Sequence, residues 1–131
     1  MLLEKSLSVI TLLLPWVIFI ANKKFLQGKR KLVSVIASIV FVYVALLLQV
    51  HFIDARLEKE LYAFDLNGDG VFSGIEIKPD QEAAMSSLVN DTGRALAPIT
   101  GAIFSVLYSL TAFIFVSFAT WLWSKYRAKR I

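Results

Sequence analysis

Residues 32–53 and 95–124 run for 22 and 30 positions without one Asp, Glu, Lys or Arg. Nothing constrains a chain of 131 residues more. About 20 consecutive apolar residues are what an α-helix needs to cross roughly 30 Å of hydrocarbon, and a hydrocarbon phase leaves unpaired backbone groups no partner except within a helix or a closed barrel. A third apolar run, residues 6–21, has sixteen positions and is extended toward the start by Met1, Leu2 and Leu3 across Glu4 and Lys5. Sixteen residues rise about 24 Å, so this run spans only if Lys5 and Asn22 sit at the two interfaces. Pro15 predicts a kink there, which membrane helices tolerate when neighbours satisfy the freed carbonyl. A cleaved signal peptide is the rival reading of this first run. Against it, no small-x-small site precedes Asn22, and the positive charges follow the apolar run instead of preceding it. An apolar share of 57% and a mean hydropathy of +0.67 exclude an ordinary soluble domain. The absence of cysteine excludes disulfides and thiolate metal sites. The fold class expected is all-α: an integral membrane protein with three transmembrane helices.

Charge then orders the spans. Between Asn22 and Lys31 lie Lys23, Lys24, Lys29, Arg30 and Lys31 with no acid, and after the last span come Lys125, Arg127, Lys129 and Arg130. Trp121, Trp123 and Tyr126 flank that second cluster as an aromatic belt. Residues 54–94 hold nine of the ten acids and four of the fourteen basic residues. Cationic loops stay in the cytoplasm, so the N-terminus and residues 54–94 are expected outside, with the 22–31 loop and the C-terminus inside. In a bacterial cell, that outer side is the periplasm. The organisation expected is spans one and two with their basic loop over residues 1–53, an extracytoplasmic region over 54–94, and the third span and tail over 95–131. Basic residues beside apolar runs are a membrane pattern, and no nucleic-acid partner is expected.

Within the outer region, residues 65–76 read DLNGDGVFSGIE. Oxygen-bearing side chains fall at positions 1, 3, 5 and 9 of this stretch (Asp65, Asn67, Asp69 and Ser73), with Gly70 at 6, Val71 at 7 and Glu76 at 12. A hard divalent cation needs six to eight oxygens, and alternate residues of a curled loop direct their side chains at one centre. Val71 need offer only its backbone carbonyl, Gly70 supplies the positive φ of the sharp turn, and Glu76 closes the cage with both oxygens. All six pattern positions are filled, and the stretch resembles the calcium loop of the EF-hand family. The resemblance implies Ca2+ as ligand, held by Asp65, Asn67, Asp69, Val71, Ser73 and Glu76 in an EF-hand-like helix-loop-helix. Leu57, Leu61 and Phe64 give the incoming helix its apolar face, although Glu60 takes one usually apolar slot. Downstream, Pro79 lacks an N–H, so the outgoing helix is expected to break and restart there. With nothing proline- or glycine-rich between Ile53 and Phe64, the second span is expected to continue as one helix into the loop. EF-hands usually pair, and the sequence holds no second loop.

Inside the spans, Gly101, Ser105 and Ser109 recur at four-residue spacing, and Ser34, Ser38, Ala45 and Gln49 lie near one stripe of the second span. Such stripes let helices approach closely. A polar lining for ions or lipid is the alternative, but transport sites usually carry an intramembrane acid or base, and these spans have none. His51 is a lone interfacial histidine. Asp91, Thr92 and Gly93 spell the triplet of aspartic proteases, but without the β pattern that family requires. No enzymatic motif survives. The reading is a non-enzymatic, calcium-binding small membrane protein. It is expected to serve as an accessory or interaction subunit of a larger assembly, with the bilayer and other membrane subunits or further copies of itself as partners. A calcium-responsive sensor, or a channel or transporter component, are the alternatives. The charge bias makes a direct prediction: Ser86→Cys should react with an impermeant thiol reagent on intact cells or spheroplasts, whereas Ser124→Cys and Gln27→Cys should not. Labelling at position 27 would overturn the topology.

Overall fold

The computed structural model describes residues 2–25 and 29–128 of the chain. Gln27, Lys129 and Arg130 lie outside the described residues. All regular structure described is helical: α1 (Leu2–Phe25), α2 (Lys31–Tyr62), α3 (Pro79–Val89), α4 (Thr92–Ala95) and α5 (Ala97–Ala128), with one 3-10 turn at Gly74–Glu76. Helices α1, α2 and α5 are each long and apolar enough to cross a membrane, and the architecture is that of a multi-pass membrane protein. The 32 residues of α2 rise about 48 Å, well over the roughly 30 Å of hydrocarbon, so one end must project.

The three long helices pack through their small residues. Ser34, Ser38 and Val42 of α2 are buried at four-residue spacing, and Ser105, Ser109, Ala112 and Val116 of α5 are buried in the same manner. The Ser38 hydroxyl donates to Ser109 Oγ at 2.9 Å, so the expected stripes face each other, and Val42 joins them. Ala45 and Gln49 are only half-buried. Large apolar side chains such as Val17, Leu32 and Ile114 stand on the outer faces, each more than 60% exposed, where lipid supplies the apolar contact that water cannot.

Polar groups inside this bundle are answered by one another. Ser8 donates to Gln49 Oε1, Gln49 Nε2 to Thr11 Oγ1, and Thr11 in turn to the Leu7 carbonyl, at 2.8 to 2.9 Å. Helix α1 continues through Pro15, whose missing N–H leaves the Thr11 carbonyl without its helical donor. Beside that gap, Tyr108 donates to the Leu12 carbonyl at 2.6 Å and receives the Trp16 indole N–H at 3.0 Å. An edge-on contact of Trp16 with Phe115, centroids 5.5 Å apart, and a cluster of Phe19, Ala112 and Val116 complete the α1–α5 seam.

Gly101 measures how close the α2–α5 approach is. A Cβ there would lie 3.8 Å from Leu46 Cδ1 and 3.9 Å from the Tyr43 ring, which is ordinary contact. Gly101→Ala should therefore be neutral, or stabilising by up to about 1 kcal/mol through helix propensity. Gly101→Leu should overpack the seam and cost about 1–3 kcal/mol. Thermal unfolding in detergent separates them, and equal tolerance of both would contradict the packing described.

Candidate functional site

Helix α2 runs without interruption to Tyr62, two residues short of the expected end at Phe64. It closes in two successive turns, Phe64 N–H to the Leu61 carbonyl at 3.1 Å and Asp65 N–H to the Tyr62 carbonyl at 3.2 Å. Leu61 is buried and α3 packs back along this projecting part of α2. The rings of Tyr62 and Phe72 stand 6.3 Å apart, tying the end of the helix to the middle of the loop it feeds.

The 65–76 loop curls around its own carboxylates. Gly68 and Gly70 take φ of 74° and 77°, the left-handed region that side chains with Cβ rarely adopt. The turns so made aim Gly68 N–H at Asp65 Oδ1 (2.7 Å) and Gly70 N–H at Asp65 Oδ2 (2.9 Å). Asn67 Oδ1 accepts from Asp69 N–H at 3.0 Å, and Asp69 Oδ1 accepts from Val71 N–H at 2.7 Å. Asn67 Nδ2 also donates to Asp69 Oδ2 at 2.8 Å. Glu76 is 4% exposed and reaches back across the loop. Its Oε1 accepts from the N–H groups of Leu66 (2.9 Å) and Asn67 (3.3 Å), and its Oε2 from Ser73 N–H (3.0 Å). Six backbone N–H groups thus answer three carboxylates. Backbone amides solvate negative charge in the way a phosphate-binding nest does.

This geometry places the sequence-predicted residues unevenly. Asp65 and Glu76, first and last of the six, are brought to the same end of the loop. Ser73 also stands as N-cap of the 3-10 turn, where its N–H donates to Glu76 Oε2. The Val71 side chain is largely exposed; having no donor atom, it leaves only the backbone carbonyl for the site. Among the described residues, no three His, Cys, Asp or Glu side chains are gathered into a metal-holding cluster. Asp65, Asp69 and Glu76 are turned onto amides of the loop and not onto one another. The break expected at Pro79 is present. The 3-10 turn ends at Glu76, and α3 starts at Pro79, where a missing N–H costs no helical bond.

Composition gave no hint of Arg94, the residue that fixes the loop region to the bundle. Its side chain is 11% exposed and forms ion pairs with Asp54 of α2 and, at 2.9 Å, with Asp91. Its Nη2 also donates to the carbonyls of Ser87 (2.6 Å) and Leu88 (3.0 Å), the last turn of α3, where orphan carbonyls and the helix dipole favour a cation. One guanidinium joins α2, α3 and α4 through its fork of donors. Asp91, start of the Asp-Thr-Gly triplet, serves as N-cap of α4, accepting from Arg94 N–H at 3.2 Å. His51 is exposed and makes only a tilted ring contact with its neighbour Phe52.

Between the loop and α3 lies an open groove of 660 Å³ whose apolar lining is Val71, Phe72, Ile77, Met85 and Val89. No family model matches this chain, and neither the curated proteins nor the solved structures contain a match.

The Arg94 contacts predict how the region responds to pH. The Arg94 side-chain hydrogen bond, then its backbone N–H, holds the Asp91 carboxyl below the ordinary aspartate value. A carboxylate with a depressed folded pKa stabilises the fold above its unfolded pKa and ceases to do so as pH falls through the folded one. The Asp91 contribution should therefore be intact at neutral pH and fade only below about pH 4. Arg94→Ala should loosen residues 79–95 by about 1–3 kcal/mol, read by amide hydrogen exchange. Arg94→Lys, a point charge without the fork, should restore little of it. Unchanged exchange in Arg94→Ala would show the latch to be idle.

Proposed function

We propose that residues 65–76 form a single EF-hand-type calcium site on the extracytoplasmic side of a small membrane protein. In this reading the protein is a non-enzymatic accessory or interaction subunit of a larger membrane assembly. The observation that carries it is the closure made by Glu76. The last residue of the pattern returns to the amides of Leu66 and Asn67, beside Asp65, the first, as an ion-enclosing loop requires. The positive φ values of Gly68 and Gly70 supply the curl that alternate donors need. The donor chemistry also fits. A carboxylate offers about four acceptor sites, and the amides occupy two on Asp65 and three on Glu76. Asp65, Asn67, Asp69, Glu76 and the Val71 carbonyl would hold the ion, with Ser73 contributing through water. A bound Ca2+ would neutralise the three carboxylates and rigidify the turn. The support is the course of the backbone and the kinds of donor, not a preassembled cluster of ligands.

The sidedness rests on charge. Lys23, Lys24, Lys29, Arg30 and Lys31 gather at one end of the bundle with Lys125 and Arg127, while the loop and its acids lie beyond the other. With the basic end cytoplasmic, the N-terminus and the loop are outside. Calcium there is commonly abundant, and modules on that side bind at about 10⁻⁴ to 10⁻³ M, so a site that fixes shape suits the location better than a cytosolic switch. The ordered loop would hold the apolar groove of Phe72, Met85 and Val89 in a form that a partner subunit can meet. A sensor is the second reading. It is favoured by the unbroken course of α2 from span to loop, since one continuous helix carries a change at Asp65 into the bundle.

Calorimetry on the detergent-solubilised protein tests the site. Wild type should bind Ca2+ with sub-millimolar to millimolar affinity. Glu76→Gln and Asp65→Ala should each weaken binding by at least about tenfold, because the first removes a charge and the bidentate grip and the second a charge and a direct ligand, and Ser73→Ala should weaken it less. All three should insert normally, since the spans depend on apolar length and basic flanks. A wild-type protein that gives no heat, and no calcium-dependent protection of residues 54–97 from proteolysis, would remove the calcium reading.

A further inference from the structure

At the basic end of the bundle, between the end of α1, the start of α2 and the second half of α5, lies a cavity of 170 Å³. Lys23, Lys31, Asn22 and Ser117 line its polar side, and Phe19 and Phe113 its apolar side. One polar atom here is unexplained. Asn22 is 6% exposed, and its Oδ1 is buried without a hydrogen-bond partner. The amide cannot be turned over to relieve this. Nδ2 donates to the Arg30 carbonyl at 2.9 Å and also to Ser34 Oγ, and a carbonyl accepts only from the nitrogen side. Oδ1 is therefore an acceptor in want of a donor, and leaving one unmade costs more than a typical hydrogen bond contributes. The two lysines are as poorly served. Among the described residues neither forms an ion pair, and every acid of the chain belongs to Glu4 or to residues 54–91, at the other end of the bundle. The volume far exceeds the roughly 10–15 Å³ that one ordered water needs.

A group that answers all of these at once is an anion bearing a hydroxyl. We propose that this cavity binds the headgroup of an anionic phospholipid whose phosphodiester carries a short hydroxylated substituent, as in phosphatidylglycerol. The phosphate lies between the ammonium groups of Lys23 and Lys31. A headgroup hydroxyl donates to Asn22 Oδ1, and Ser117, which lines the same cavity, donates to phosphate oxygen. The aromatic wall of Phe19 and Phe113, on the membrane helices themselves, receives the glycerol backbone and the start of the acyl chains. That wall is the reason for choosing a lipid over a soluble phosphate ester. The site is separate from the 65–76 loop and stands whether or not the loop binds calcium.

Native mass spectrometry of the detergent-solubilised full chain, titrated with short-chain lipids, tests this. Phosphatidylglycerol should bind more tightly than phosphatidylcholine by at least about tenfold, from two lysines near the surface. It should also exceed phosphatidylethanol, equally charged but without a hydroxyl, by about three- to tenfold. Lys31→Gln should lose about fivefold of the preference, whereas Lys29→Gln, an equal loss of charge at a residue that does not line the cavity, should lose little. The variants need fold only as well as wild type in phosphatidylcholine, which serves as the internal reference. Equal binding of phosphatidylglycerol and phosphatidylethanol would overturn the role of Asn22. Equal effects of Lys29→Gln and Lys31→Gln would reduce the site to general surface charge. Displacement of the lipid by equimolar glycerol phosphate would overturn the lipid assignment in favour of a soluble ester.

Discussion

Hydrocarbon offers no hydrogen-bond partner, and the rest of this structure follows from how the chain meets that condition. The backbone meets it by forming three long helices. The side chains meet it in pairs: Ser38 with Ser109, Trp16 with Tyr108, and Gln49 with Ser8 and Thr11. Each pair joins two helices, so polar residues that would be costly on a lone span become the registers that align α1, α2 and α5. Small side chains keep the backbones close enough for these short hydroxyls to touch.

The same requirement recurs outside the bundle in a different form. Asp65, Asp69 and Glu76 are carried on a tight loop where their charges would repel, and the loop turns its own amides toward them. Glycine at two positions makes that turn possible. The loop is held at one side by the projecting end of α2 and at the other by α3, which Arg94 fastens to Asp54. A change in the loop therefore has mechanical routes to the bundle, through the unbroken α2 and through the Arg94 latch to the start of α5.

Much of this was legible in the sequence. The long uncharged runs announce α2 and α5, and Pro79 marks the restart of a helix, because a missing charge or a missing N–H acts locally. The serine stripes were readable because four-residue spacing returns to one helical face. Val42 carries no such signal, since its chemistry is equally suited to lipid or to a seam. Ser73 reads as a ligand by its spacing, and its place as N-cap of the 3-10 turn is a second role that spacing does not reveal, because the backbone sets it. Arg94 and Asn22 could not be found from pattern at all. The importance of Arg94 comes from Asp54, 40 positions away in sequence. That of Asn22 comes from burial against a turn where helix-end position alone predicted an interfacial side chain.

If the curl of residues 65–76 is the framework of a calcium site, as we propose, the Gly70 amide reports on it most directly. That N–H donates to Asp65 Oδ2 at 2.9 Å, so an ion drawing on the same carboxylate must alter its electronic environment. In a ¹H–¹⁵N spectrum of the detergent-solubilised protein, titration with calcium to the millimolar range should move the Gly70 resonance, together with Leu66, Asn67 and Ser73, whose amides bond Glu76. Span resonances such as Gly101 should stay in place. A loop whose Gly70, Leu66 and Ser73 signals do not move at millimolar calcium would contradict the account.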